Sequence, residues 1–287
     1  MVYLNQLSQA SRTMLHPYRR IWTSKQRTEV QLPKVLKGVK VTEEDIPKEI
    51  GSPDAKGIFA NLVHPDCVKI DNLSNLIKFT VTLQDSTGDR CGNGVIVDNG
   101  KHKYVTTDYH CVNHELKKRR SGLHAVLFLG NKRFEIPLSR SSLVRIVTDE
   151  GDAGIFKYKG KAEGARCCDY LKAEEIYPAC VVGYSYNSNE TPLFAFGYTS
   201  YESVAPDLFA GLEVPEELEH LQCKALQGAL IFTGATVYGY SGSGLFNLKG
   251  ELMGIHAGRG YIHDRENDRH ITIKYSSYIH TLLKDLE

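Results

Sequence analysis

Ser241 stands in the stretch "GYSGSG", between Gly239, Gly242 and Gly244. A serine hydroxyl is a feeble nucleophile until an imidazole accepts its proton. A carboxylate must then hold that imidazole in the right tautomer and stabilise its charged form. Groups of both kinds lie upstream. His110 follows the β-rich run "YVTT" in "KYVTTDYHCVNH", and Asp152 precedes the apolar pair Ile155 and Phe156 in "VTDEGDAGIFKY". The order is His, Asp, Ser, at intervals of 42 and 89 residues. Gly239 lets the loop turn so that its own N–H and that of Ser241 can face one developing oxyanion. His102 and His114 compete with His110 but read as exposed loop residues, and Asp149 and Glu150 fall in a turn where carboxylates stay solvated.

Strands must hold these groups in place. "LIKFTVTL" alternates Ile77, Phe79, Val81 and Leu83 with polar residues, the period of a half-buried strand. "GVIVDNGKHKYVTT" places Asn-Gly between two β-rich runs, and "HAVLFLGNKRFEIPL" repeats the pattern around Gly130 and Asn131, so both read as hairpins. "GIFKY", "CVVGYSY", "LFAFGYTSY", "GALIFTGATVY" and "LFNLKGELMGIHAG" add further strands. Short, frequent strands joined by Gly/Asn turns predict antiparallel barrels or sandwiches, not βαβ units. Helices are expected at 215–226, in the closing "YSSYIHTLLKDLE", and briefly within "VTEEDIPKEIGSPD"; residues 159–177 read as the join between two β halves.

The 287 residues are 41% hydrophobic and carry a net charge of +1, room for one large domain or two subdomains with no global pull toward polyanions. No run approaches the ~18 apolar residues of a membrane span, and the first residues lack a secretory apolar core. Seven cysteines without a CxxC framework suggest reduced thiols, so a cytoplasmic location away from membranes is expected. "HCVNH" lacks a second ligand pair for zinc, so neither metal nor cofactor is expected. Residues 1–40 hold eight Lys or Arg against Glu29 alone. This basic stretch (12–40), with Tyr18 and Trp22, and the run 117–120 offer a weak RNA contact.

Taken together, "TTDYHC", "DAGIFK" and "GYSGSG" resemble the three catalytic boxes of the chymotrypsin-fold (trypsin-like) serine proteases, over roughly residues 72–287. The resemblance implies a mostly β molecule of two antiparallel six-stranded barrels with an N-terminal extension and a C-terminal helix. Its units would be the extension (1–71), a barrel carrying His110 and Asp152 (72–165), and the linker and barrel carrying Ser241 (166–287). It implies His110 as general base, Asp152 as orienting acid, Ser241 as nucleophile, and the N–H groups of Gly239 and Ser241 as oxyanion hole. Tyr240 replaces the aspartate that in secreted members ties down a cleaved N-terminus, so activation of that kind is not expected. Cys91 in "RCGNGVIV" matches a cysteine that in secreted members pairs with the one after the histidine, here Cys111. The two are expected to lie close enough to bond, and to be reduced in a cytosolic protein.

"GELMGIHAG" resembles the Gly-x-His element of viral polyprotein-processing proteases of the arterivirus, sobemovirus and picornavirus main-protease type. That likeness places His256, Thr236 and Gly258 in the S1 pocket. A neutral imidazole and a hydroxyl can donate to a Glu or Gln side chain, so it implies cleavage after Glu, or Gln, in a polyprotein within a host-cell cytoplasm. A cellular trypsin-like protease, or a catalytically silent module binding RNA, are the alternatives. An α/β-hydrolase is excluded, because Ser243 stands where its elbow needs glycine and the order of its triad differs.

Overall fold

The computed structural model describes residues 33–46, 56–117, 122–148, 151–172, 175–186, 191–203, 227–264 and 269–286. The helix expected over 215–226 lies outside them. So do residues 1–32 of the basic arm and 118–120, whereas Lys34, Lys37 and Lys40 are exposed. No helix of the described residues is long and apolar enough to cross a membrane.

The strands of the first half are β1 (Val35–Leu36), β2 (Leu62–Val63), β3 (Thr80–Gln84), β4 (Arg90–Asp98), β5 (Lys103–Thr107), β6 (His124–Leu129), β7 (Lys132–Pro137), β8 (Leu143–Val147) and β9 (Ala153–Tyr158). Those of the second are β10 (Ala165–Arg166), β11 (Ile176–Gly183), β12 (Leu193–Ser203), β13 (Gln227–Phe232), β14 (Ser243–Asn247), β15 (Leu252–Asp264) and β16 (Arg269–Tyr278). One sheet runs β7-β6-β3-β4-β5-β9-β8. The other runs β1-β2-β12-β11-β14-β15-β16-β13, and a further β12–β13 pairing closes its last six strands into a barrel. The mostly β, chymotrypsin-like architecture is thus as expected. Both hairpins form, and Gly100 (φ 88°) and Gly130 (φ 58°) take the left-handed conformation that such turns require.

Alternation explains how the first sheet serves two cores. Ile96, Val105 and Phe156 are cross-strand neighbours buried in one cluster with Val81, Leu83 and Leu127. The intervening Val95, Val97, Tyr104 and Ile155 point to the opposite face, into a cluster with Phe246, Leu245 and Ile255 of the second barrel. Strands apolar on both faces are therefore the seam between the halves. The join is stitched to both sides: β10 pairs with β4, and Cys167 bridges to Leu252.

Three elements depart from the sequence reading. Leu76–Lys78 is a 3-10 turn, and the strand begins only at Thr80, whose hydroxyl bonds back to the Leu76 carbonyl at 3.1 Å. Residues 275–278 extend β16, so the closing helix is confined to Ile279–Leu283. Tyr109–Lys117 forms a helix, α1, which buries Val112, Glu115 and Leu116 at helical spacing. Its polar composition hid it from pattern reading.

Candidate active site

The strand ends deliver the candidate side chains. His110 lies in the first turn of α1, directly after β5, and Asp152 directly before β9, which pairs with β5. Asp152 is 3% exposed, and its Oδ2 pairs with His110 Nδ1. Its Oδ1 accepts the His110 backbone N–H at 3.1 Å, and its own N–H donates to Ser277 Oγ on β16 at 3.0 Å. One carboxylate thus fixes both ring and backbone of the histidine. Burial by itself lowers the imidazole pKa, but the bonds to Asp152 and Cys111 outweigh it and hold His110 well above its ordinary 6.5.

Ser241 sits in the loop between β13 and β14, its hydroxyl directed at the Ala257 carbonyl at 3.4 Å. His110 Nε2 has Cys111 Sγ at 3.5 Å, and no hydrogen bond joins Ser241 to His110 among the described residues. Catalytic hydrogen bonds of this kind commonly tighten only when substrate is bound.

The loop backbone has a defined orientation. Tyr238 carbonyl accepts from Tyr186 N–H at 3.3 Å, and Tyr240 carbonyl accepts from Ser243 N–H at 2.9 Å. In a trans peptide the N–H points opposite to its C=O, so the N–H groups of Gly239 and Ser241 are turned away from those contacts. Gly239 holds φ 94°, which a residue with a Cβ adopts only with strain.

Three residues with no role in the sequence reading impose this conformation from the first half. Asn93, fully buried on β4, donates from Nδ2 to the Gly239 carbonyl at 2.6 Å and from its backbone N–H to the Ser241 carbonyl at 2.8 Å. Arg90 donates to the same Gly239 carbonyl at 3.1 Å, to Asn93 Oδ1 at 3.1 Å and to the Ser185 carbonyl at 2.5 Å. Burial pulls its guanidinium down to about 10, still charged at neutral pH. Asp108, with no exposed surface, accepts the Gly242 N–H at 2.7 Å; that N–H also donates to the His256 carbonyl at 2.9 Å. Burial and the neighbouring Asp152 raise the Asp108 pKa well above the usual carboxylate range. Gly242 admits no side chain, since a Cβ would lie 2.0 Å from the Asn93 carbonyl oxygen. Asn93 lies in "RCGNGVIV" and Asp108 inside "TTDYHC", so the quoted boxes contain both residues without singling out either.

His256 lies on β15 between β14 and β16, opposite Ser243 and Ser276, and is 2% exposed. Thr236 follows β13 and is also buried, and Gly258 stands at the register shift of β15. Cys91 and Cys111 pack against the same apolar cluster, and Cys111 is a free thiol.

The family profile described as "Trypsin-like peptidase domain" matches residues 92–255. Among solved structures, the MamO protease domain from Magnetospirillum magneticum is similar with a TM-score of 0.51 and 16% identity, covering 74% of this chain and 98% of that one. Deg5 gives a TM-score of 0.52 and 15% identity over 75% of this chain and 90% of that one. Rv3671c from M. tuberculosis H37Rv, as its Ser343Ala mutant, gives 0.50 and 14% over 84% and 95%. No curated protein matches the chain in sequence.

Proposed function

The chain belongs to the trypsin-like peptidase family and is a serine protease acting on polypeptides; from that premise we propose that Ser241, His110 and Asp152 are its catalytic triad and that it is an endopeptidase cleaving after Glu or Gln. The observation that carries the triad is the buried Asp152 carboxylate bonded to both Nδ1 and the backbone N–H of His110. That arrangement presents Nε2 as the acceptor.

In the reaction, Ser241 Oγ attacks the scissile carbonyl carbon while His110 Nε2 takes the hydroxyl proton. The carbonyl oxygen becomes an oxyanion held by the N–H groups of Gly239 and Ser241. Collapse expels the amine, which carries away the proton from His110, and leaves an acyl-enzyme. Water, deprotonated by His110, then releases the acid and restores the serine. Asp152 stays ionised and stabilises the imidazolium.

The Glu or Gln preference rests on His256, which is buried and whose carbonyl bonds the nucleophile loop at Gly242, with Thr236 as the second reader. Processing of a viral polyprotein is the biological role this specificity suits. The test is a panel of peptides differing only at P1, with Ser241→Ala as control. Cleavage after Glu or Gln supports the pocket; cleavage after Lys or Arg alone favours the cellular trypsin-like alternative. Activity persisting in Ser241→Ala would refute the nucleophile.

A further inference from the structure

Two buried carboxylates, a histidine and a thiol crowd one corner of the cleft, and the peptidase chemistry uses neither Asp108 Oδ1 nor Cys111 Sγ. We propose that Asp108, His110 and Cys111 form an inhibitory site for a thiophilic divalent cation of the zinc type. A carboxylate oxygen of Asp108, a ring nitrogen of His110 and Cys111 Sγ lie within 4.8 Å of one another. The Cys111 sulfur stands 3.5 Å from His110 Nε2. Around a tetrahedral zinc, with Zn–S about 2.3 Å and Zn–N about 2.0–2.1 Å, sulfur and nitrogen ligands are held about 3.5 Å apart. Two of the ligand atoms are therefore already at the separation the ion demands.

Independent features fit a cation there. Asp108 is fully buried, and its Oδ1 has no hydrogen-bond partner although Oδ2 is satisfied by Gly242. A buried carboxyl oxygen left without a partner is costly, and a dication displacing the Asp108 proton would satisfy it. His110 donates its Nδ1–H to Asp152, the outer-shell bond that in metal sites fixes the tautomer and makes Nε2 the better ligand. Gly92 leaves the sulfur its space, since a Cβ there would lie 2.6 Å from Cys111 Sγ. Binding would displace to solvent the thiol proton of Cys111, the carboxyl proton of Asp108 and any proton on His110 Nε2, and would occupy the Nε2 lone pair. His110 could then no longer take the proton of Ser241, so the bound cation switches hydrolysis off.

The test compares the wild-type enzyme with Cys111→Ala, each zinc-treated rate taken as a fraction of that enzyme's own zinc-free rate. Zinc is expected to inhibit wild-type peptide hydrolysis, and a chelator to restore it. Losing a direct ligand should weaken the inhibition by at least the roughly 10–100-fold seen for outer-shell partners. Equal zinc sensitivity in the two enzymes, or none in the wild type, overturns the proposal. A second readout needs no catalysis: cadmium added to Ser241→Ala should give an ultraviolet thiolate charge-transfer band, diminished when Cys111→Ala is added. The remaining cysteines are common to both proteins, so the difference isolates Cys111. An unchanged band likewise overturns the site, and this arm decides even if no peptide is cleaved.

Discussion

The two halves of the molecule supply unlike kinds of group to the cleft. The first half supplies side chains: the His110 ring, the Asp152 and Asp108 carboxylates, the Asn93 amide and the Arg90 guanidinium. The second half supplies chiefly peptide groups, the N–H of Gly239, Ser241 and Gly242 and the carbonyls of Ala257 and His256, besides the Ser241 hydroxyl. A side chain is aimed by the register of its strand. A peptide group in a glycine loop has no such director and must be held from outside, which is what Asn93 and Arg90 do.

This contrast orders the expected losses. Removing the proposed base or orienting acid of the first half should be most severe: His110→Ala and Asp152→Asn should each lower kcat by about 10⁴-fold or more, read from peptide hydrolysis with circular dichroism confirming the fold. The pH profile sharpens the same point. His110 must be neutral to act and Asp152 raises its pKa, so activity should climb through an apparent pKa above 6.5. Any activity left in Asp152→Asn should climb at lower pH.

Next comes the hold on the loop. Asn93→Ala leaves the Gly239 carbonyl held by Arg90 alone and should cost about 10–100-fold in kcat with little change in KM, somewhat less than deleting an oxyanion donor outright. Affinity for a peptide aldehyde should fall in parallel, whereas product affinity should not. A rise in KM alone would break the comparison, because it would make Asn93 a binding residue. Smallest is Asp108→Asn. Its carbonyl can still accept from Gly242 N–H, and the acid it replaces favours the neutral form, so kcat should fall by less than about fivefold, roughly the 1 kcal/mol scale of one neutral hydrogen bond.

The same division decides what was legible in the sequence. His110, Asp152 and Ser241 stand in boxes whose order and spacing are visible along the chain, and the hairpins at Asn99-Gly100 and Gly130-Asn131 follow from local turn chemistry. The helix over Tyr109–Lys117 was not legible, because only Val112 and Leu116 carry its apolar spacing. Nor were Arg90 and Asn93. Apart from the bond between the two, their side chains' partners lie 91 to 149 residues away and are main-chain atoms, which leave no trace in residue type. Leu76–Lys78 misled for the opposite reason, an alternating pattern that ran past the true start of its strand.

One feature outside the two halves' shared cleft residues bears on the handling of the protein. Residues 35–36 and 62–63 form two-residue strands that pair in sequence onto β12 at Phe194 and Ala195, where β13 does not reach. Their Leu62 and Val63 are buried against the second barrel, so a chain shortened to begin at residue 72 would uncover an apolar sheet margin with unpaired main-chain groups. Such a margin is a template for intermolecular strand addition. The shortened protein should therefore self-associate in light scattering at concentrations where the full chain does not, and the segment before the first barrel acts as a guard against aggregation.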